Sequence, residues 1–245
     1  MMTMRMQILL GLLLFLSVPT SSSIFTLRDT GGATSKCLDG SNAKFYTYDG
    51  AETSKFIVYF EGGYLCLGAD QNAMLDDCVT RSSTEFGSSN TYGSTRDLSS
   101  RTLLSSDPVK NPLFHNYTKA YFPYCDGSLH QGTLTNPVNH GGTNLYFRGQ
   151  DNTITYFTMM NSLYQFYSAD EIIVTGVSAG SMGALFWSNY LRTQITNQDN
   201  LYMIGDSSYF DNYFNHYQLN QPTFYNALLP LFQMLAAGGS VIPLA

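Results

Sequence analysis

A serine flanked by glycines is the group in this sequence best suited to nucleophilic chemistry. Ser178 lies in a Gly-x-Ser-x-Gly pattern between Gly176 and Gly180, after the β-branched run 172–175. A helix-compatible segment, 182–192, follows at once. A strand, a tight turn and a helix in this order form a nucleophile elbow, which presents a serine hydroxyl above a sheet. The pattern predicts Ser178 as a nucleophile; the alternative is a glycine-rich turn with an ordinary serine.

A serine hydroxyl needs a base to take its proton and an acidic group to orient that base. In α/β-hydrolases the acid and then the histidine follow the serine in the chain. After Ser178 the sequence has one histidine, His216, as a candidate base, and three aspartates: Asp199, Asp206 and Asp211. Earlier histidines match no expected base position. His130 and His140 lie in a Gly/Asn-rich loop and are expected at the surface or at a pocket mouth.

The elements that must position these groups can be predicted from periodicity. Short apolar runs predict strands over 44–48, 55–60, 119–124, 171–176 and 201–206. Helical spacing predicts helices over 152–167 and 182–196. Segment 82–106 is rich in Ser, Thr and Gly and is expected to have little regular structure. The alternation of strands and helices predicts an α/β fold, with a mainly parallel sheet and helices on both faces.

The N-terminal residues have the pattern of a secretory signal peptide. Arg5 precedes an apolar run over 8–18, which small polar residues follow to position 23. The apolar run is too short to span a bilayer comfortably, and no later segment is predicted to span one. We therefore expect a signal peptide at residues 1–23, one hydrolase domain at 24–245, and a secreted protein.

The cysteines agree with secretion, because an even set suits disulfides in an oxidising compartment. The sequence has four of them: Cys37, Cys66, Cys78 and Cys125. Three pairings are possible, and spacing alone does not choose among them. None is spaced as a Cys-x-x-Cys pair, so we expect no bound metal. Asn116 begins an Asn-Tyr-Thr sequon and is a candidate glycosylation site.

The charge balance excludes some classes of partner. The formal net charge is −6, with 12 lysines and arginines in 245 residues. A chain this poor in positive charge does not suit nucleic acid or an anionic membrane surface. We expect a monomer with no nucleic-acid partner and no membrane span in the mature chain.

Several motifs occur in order around the elbow. They are Cys-Leu-Asp-Gly-Ser at 37–41, Tyr-Phe-Glu-Gly-Gly-Tyr-Leu-Cys at 59–66, Phe-Pro-Tyr-Cys-Asp-Gly-Ser at 122–128, Leu-Tyr-Phe-Arg-Gly at 145–149 and Asp-Ser-Ser-Tyr-Phe at 206–210. Together with Gly-x-Ser-Ala-Gly, they resemble the pectin acetylesterase and Notum carboxylesterase family. The similarity runs from about Cys37 to about Asp211, and in the last motif Ser208 stands where the family has glycine.

The resemblance assigns roles to residues that spacing leaves open. It implies that the backbone amides of Gly63 and Tyr64, with the Ala179 amide after the nucleophile, form an oxyanion hole. Losing one such donor costs on the order of 2.7–4 kcal/mol of transition-state stabilisation. It also implies the disulfides Cys37–Cys125 and Cys66–Cys78.

The same resemblance raises a question about the base. In the family the acid and the histidine lie beyond the motif at 206–210, past the last residue of this sequence. We therefore expect an α/β-hydrolase-like fold that lacks its last strands and helix. Three interpretations stay open: a truncated serine carboxylesterase, a shortened relative that binds glycans or acylated proteins without turnover, or a rearranged site that uses His216 and a late aspartate.

The resemblance also implies a reaction class. Ester hydrolysis through an acyl-enzyme on Ser178 needs no cofactor and no metal. The preferred substrate is an acetylated polysaccharide, since this is the broader activity of the family. An acylated secreted protein, as for a Notum-like O-deacylase, is the alternative.

Overall fold

The computed structural model describes residues 22–207 together with Leu231, Gln233 and Met234. The predicted signal peptide lies outside the described residues, apart from Ser22 and Ser23. The end of the motif at 206–210 and the candidate base His216 also lie outside them. Within the described residues, no helix combines the length and the apolar character needed to cross a bilayer.

The region from 22 to 207 has nine strands, three α-helices and three 3₁₀ turns. The strands are β1 (Ile24–Asp29), β2 (Lys44–Tyr48), β3 (Glu52–Phe60), β4 (Thr95–Asp97), β5 (Tyr117–Phe122), β6 (Val138–His140), β7 (Thr143–Leu145), β8 (Glu171–Val177) and β9 (Leu201–Asp206). The α-helices are α1 (Gln71–Ser82), α2 (Gly149–Tyr164) and α3 (Ala179–Gln194). Single 3₁₀ turns occur at Thr102–Leu104, Phe166–Ser168 and Gln198–Asn200.

Seven of these strands form one sheet in the order β4-β1-β2-β5-β3-β8-β9, and β6 and β7 form a separate hairpin. The neighbours β5, β3, β8 and β9 all run parallel. β2 is antiparallel to β5 and β1 is antiparallel to β2, so β1 runs in the same direction as the parallel set. The sheet is therefore mixed but mostly parallel, and the α/β prediction is confirmed.

The direction of each connection determines which face of the sheet it covers. Two connections, β5 through α2 to β8 and β8 through α3 to β9, lead toward the β9 edge of the sheet. The connection from β3 to β5 leads in the opposite direction. Parallel crossovers are right-handed in nearly all proteins. The first two therefore put α2 and α3 on one face, and the third puts segment 61–116 on the other.

The two faces are covered differently as a result. On one face, side chains of α2 and α3 such as Phe157 and Trp187 pack against Phe56, Val58 and Phe60 of β3. On the other, aromatic residues of β3 and β5 pack against Leu98 and Leu104. Segment 82–106 covers its part of the second face with loop and a 3₁₀ turn, as its Ser, Thr and Gly content predicts.

Candidate active site

Ser178 stands at a sharp turn between β8 and α3. Its backbone has φ 55° and ψ −123°, a conformation that a non-glycine residue rarely adopts and that costs about 1–3 kcal/mol. Its side chain is exposed, and α3 begins at the next residue. The turn is possible because a Cβ at Gly180 would lie 2.2 Å from the Phe60 carbonyl oxygen, and one at Gly176 would lie 2.4 Å from the Gly180 oxygen. The structure therefore has the geometry of a nucleophile elbow.

The neighbouring strand brings a second loop to the serine. β3 and β8 are parallel, and Phe60 is paired with Gly176 at their carboxyl ends. Just beyond these ends, Gly62 lies beside Val177 and Ser178. A Cβ on Gly62 would lie 3.3 Å from the Ser178 Cβ and 2.1 Å from the Val177 carbonyl oxygen, so this close approach requires glycine.

The backbone amides that the resemblance assigns to the oxyanion hole are free to act as donors. Within residues 22–207, the amides of Gly63, Tyr64 and Ala179 have no acceptor. The Ala179 amide belongs to the first turn of a 16-residue helix, whose N-terminus favours negative charge. Gly63 and Tyr64 have φ of 148° and 60°, which turns the backbone sharply after β3. An oxyanion formed on an ester attacked by Ser178 needs donors of this kind.

The start of this loop is anchored by Glu61, which is buried at the end of β3. One carboxylate oxygen accepts from the Tyr121 hydroxyl and lies 3.6 Å from Arg96, and the other accepts from the Tyr124 amide at 3.0 Å. All of these contacts are structural. Glu61 therefore anchors the loop, in line with the usual role of a carboxylate at a strand end.

His130 also supports the loop and lies in the protein interior, so the prediction that it is exposed is wrong. Its ring packs against Phe60 and Tyr124, with centroids 5.1 and 4.8 Å apart. Its Nε2 donates to the Glu61 carbonyl at 3.0 Å, and burial lowers its pKa, so the ring is neutral at pH 7. The Gly/Asn-rich neighbourhood suggests a surface loop, but these contacts across the fold bury the histidine.

No described histidine hydrogen-bonds to Ser178. His130 Nε2 donates to the Glu61 carbonyl, and His140 Nε2 pairs with Asp76 of α1 at 2.8 Å. His115 precedes β5, and therefore lies at the amino end of the parallel strands, opposite the serine. The candidate base His216 lies outside the described residues. The Ser178 amide donates to the Asp206 carbonyl at 3.0 Å, so β9 ends beside the elbow.

The disulfides link Cys37 to Cys125 and Cys66 to Cys78, which is the pairing that the resemblance implies. Cys37–Cys125 joins the N-terminal region to the segment after β5. Cys66–Cys78 joins the loop after β3 to α1.

Helix α1 and its residue Arg81 were not predicted from the sequence. Arg81 donates from Nη1 to the Gly63 carbonyl at 2.7 Å. The available signal was local: Asp70 caps the helix by accepting from the Ala73 amide, and the buried residues Met74, Leu75 and Cys78 follow at helical spacing. The many polar residues between them weaken that pattern.

Comparison with known proteins places this geometry in context. The family model described as Pectinacetylesterase matches residues 18–234. Pectin acetylesterase 5 of Arabidopsis thaliana is 31% identical over 180 residues, covering 72% of this chain and 39% of the relative. The palmitoleoyl-protein carboxylesterase NOTUM of Schmidtea mediterranea is 28% identical over 193 residues, covering 76% and 34%. This chain thus spans less than half the length of the curated relatives it matches.

A solved structure agrees with the fold. The Wnt deacylase Notum from Drosophila superposes with a TM-score of 0.63 at 24% identity, covering 74% of this chain and 51% of that one. At this identity the likeness supports the α/β-hydrolase-like fold.

Proposed function

This chain belongs to the pectinacetylesterase family, and we propose that it is a serine carboxylesterase whose nucleophile is Ser178. The observation that carries the proposal is the exposed Ser178 in its positive-φ turn, with the loop that begins at Gly62 beside it. The names of the relatives, pectin acetylesterase and palmitoleoyl-protein carboxylesterase, both describe ester hydrolysis.

The proposed reaction has two steps. Ser178 Oγ attacks the carbonyl carbon of the ester while a base takes the hydroxyl proton, and the amides of Gly63, Tyr64 and Ala179 stabilise the oxyanion. The intermediate collapses as the alcohol leaves with that proton, which gives an acyl-enzyme. Water, deprotonated by the same base, then attacks the acyl-enzyme, releases the carboxylic acid and restores the serine.

The base in this proposal comes from outside the described residues, since the described histidines are engaged elsewhere or lie far from Ser178. His216 is the one histidine of the sequence that follows Ser178, and it is the candidate within this chain. Its acidic partner would be one of the aspartates after the elbow.

We propose an acetylated polysaccharide as the substrate. The Tyr64 side chain is 75% exposed, and it belongs to the same residue as one of the proposed oxyanion donors. An exposed tyrosine face next to a nucleophile can stack on a sugar ring, which supports a carbohydrate ester. A fatty-acylated secreted protein is the second candidate, because the NOTUM relatives are named for palmitoleoyl-protein hydrolysis.

Acyl-chain preference tests the substrate proposal. We expect the secreted chain to hydrolyse p-nitrophenyl acetate with a higher kcat/KM than p-nitrophenyl octanoate, and to release acetate from acetylated pectin. A preference for octanoate would favour the protein O-deacylase instead. Rates at the uncatalysed background for both wild type and Ser178→Ala, on both esters, would support the non-catalytic binding protein and reject the esterase.

We also propose that the protein is secreted after loss of residues 1–23 and glycosylated at Asn116. Asn116 is half-buried directly before β5, at the end of the sheet opposite Ser178, so a glycan there would not cover the site. Peptide N-glycosidase should increase the gel mobility of the secreted wild type and leave Asn116→Gln unchanged. A wild-type chain retained in the cell, or secreted without a glycan, would contradict this.

A further inference from the structure

The peptide bond between Gly63 and Tyr64 is held from the side opposite to the proposed oxyanion. Its carbonyl, on Gly63, accepts a 2.7 Å hydrogen bond from Arg81 Nη1. Its amide, on Tyr64, has no acceptor within residues 22–207 and belongs to the loop whose Gly62 lies beside Ser178. The described peptide bonds are all trans, and in a planar trans peptide the C=O and the N–H point in opposite directions. Fixing the Gly63 carbonyl toward Arg81 therefore directs the Tyr64 amide away from Arg81.

The Gly63–Tyr64 peptide needs a hydrogen bond of this kind to hold its orientation. Tyr64 has φ 60°, which is unfavourable for a residue with a side chain. Its exposed ring makes few contacts that could hold the backbone in place. Gly63 is in a conformation that only glycine adopts readily, and a Cβ there would lie 2.7 Å from the Phe86 ring. The loop is therefore strained and is positioned from outside.

Arg81 is itself rigidly held, which a positioning residue requires. Its Nε donates to the Phe86 carbonyl at 3.0 Å. Its guanidinium stacks on the Tyr124 and Phe86 rings, 4.8 and 5.4 Å from their centroids. Arg81 lies three residues after Cys78 on α1, and the Cys66–Cys78 disulfide ties that helix to the same loop.

The positive charge of Arg81 favours the same role for the Gly63–Tyr64 peptide as its position does. Within the described residues, no carboxylate lies within ion-pair distance of Arg81. Its positive charge is applied to the Gly63 carbonyl, which polarises the peptide and strengthens the Tyr64 N–H as a donor. An unneutralised cation behind the donor also favours negative charge in front of it.

We infer that Arg81 is a positioning residue for the oxyanion hole: it orients and polarises the Gly63–Tyr64 peptide so that the Tyr64 amide stabilises the oxyanion. This inference rests on the proposed esterase function. Arg81 itself touches no reacting atom, and its effect is exerted through the peptide.

Kinetics of three variants test the inference. Because loss of an oxyanion donor costs about 10²–10³-fold in kcat, misorientation of one donor in Arg81→Ala should lower kcat by about 10–100-fold and leave KM within about twofold. Arg81→Lys should recover most of the loss, since an ammonium can still donate to the carbonyl. Arg28→Ala is the matched control: Arg28 is also half-buried and donates to Thr47, but it lies on β1, away from the site. A kcat for Arg81→Ala equal to that of Arg28→Ala, or a loss only in KM, would overturn the inference.

A second readout does not depend on turnover. In a spectrum of ¹⁵N-tyrosine-labelled protein, the Tyr64 amide is assigned by its disappearance in Tyr64→Phe. We expect Arg81→Ala to move this peak upfield, Arg81→Lys to move it less, and Arg28→Ala to leave it in place. An unmoved peak in Arg81→Ala would overturn the inference even if the wild type is active. A moved peak in a wild-type background that shows no Ser178-dependent activity would support the inference on the loop and reject the proposed function instead.

Discussion

Replacing Ser178 with alanine is expected to lower kcat/KM for p-nitrophenyl acetate by roughly 10⁴-fold or more, while the fold is retained. The acyl-enzyme cannot form without the hydroxyl, and the oxyanion donors and substrate binding then leave a residual acceleration of about 10³–10⁴-fold over water. The side chain is exposed, so its removal leaves no cavity. The turn strain would persist, because alanine at φ 55° is as unfavourable as serine.

Ser181→Ala is the matched control for this prediction. Ser181 lies three residues further along, in the first turn of α3, and is fully buried. Among the described residues, its hydroxyl has no hydrogen-bond partner, so its removal should leave activity and stability nearly unchanged. His216→Gln extends the same assay: a loss as large as that of Ser178→Ala would assign the base to His216. Full activity in Ser178→Ala would contradict the nucleophile assignment.

Removal of the Cys37–Cys125 disulfide is expected to have the largest effect on stability. This bridge closes an 88-residue separation, whereas Cys66–Cys78 closes 12. In the chain-entropy model, the longer loop corresponds to about 4–5 kcal/mol of unfolding free energy and the shorter to about 3 kcal/mol. Since total stability is typically about 5–15 kcal/mol, a Cys37→Ala/Cys125→Ala chain should be only marginally folded.

Removal of the two disulfides should also have different effects on kcat. The Cys66→Ala/Cys78→Ala chain should lose less stability but more kcat, because that bridge connects the loop after Tyr64 to the helix that carries Arg81. Trp187 is the only tryptophan and is 3% exposed, so its fluorescence reports urea unfolding for both variants. Equal losses of unfolding free energy in the two variants, or an unchanged kcat without Cys66–Cys78, would contradict this division.

The parts of the fold with strong local patterns were predictable. β2 and β9 have the predicted limits, and β8 is one residue longer than predicted, because compact apolar runs bounded by polar residues specify strands directly. Helix α3 begins at Ala179 and not at the predicted residue 182, since the chain enters the helix immediately after the elbow. The parallel direction of β5, β3, β8 and β9 also agrees with the predicted mainly parallel sheet.

The parts that depend on distant contacts were not predictable in the same way. Arg81 reaches Gly63 only because α1 folds back beside the loop. His130 is buried by Phe60 and Tyr124, and its own neighbours in the sequence are typical of an exposed loop. Local composition describes the conformation that a segment can adopt, whereas burial depends on what the rest of the chain packs against it.

The most direct test of the central claim is the site of covalent labelling by a fluorophosphonate, which reacts with activated serine nucleophiles. We expect peptide mapping of the labelled, secreted chain to find one phosphonylated residue, Ser178, with no label on the Ser178→Ala protein. Prior incubation with p-nitrophenyl acetate should slow the labelling, since the acyl-enzyme occupies the same hydroxyl. An unlabelled wild-type chain, or a label on a different serine, would contradict the assignment of Ser178 as the nucleophile.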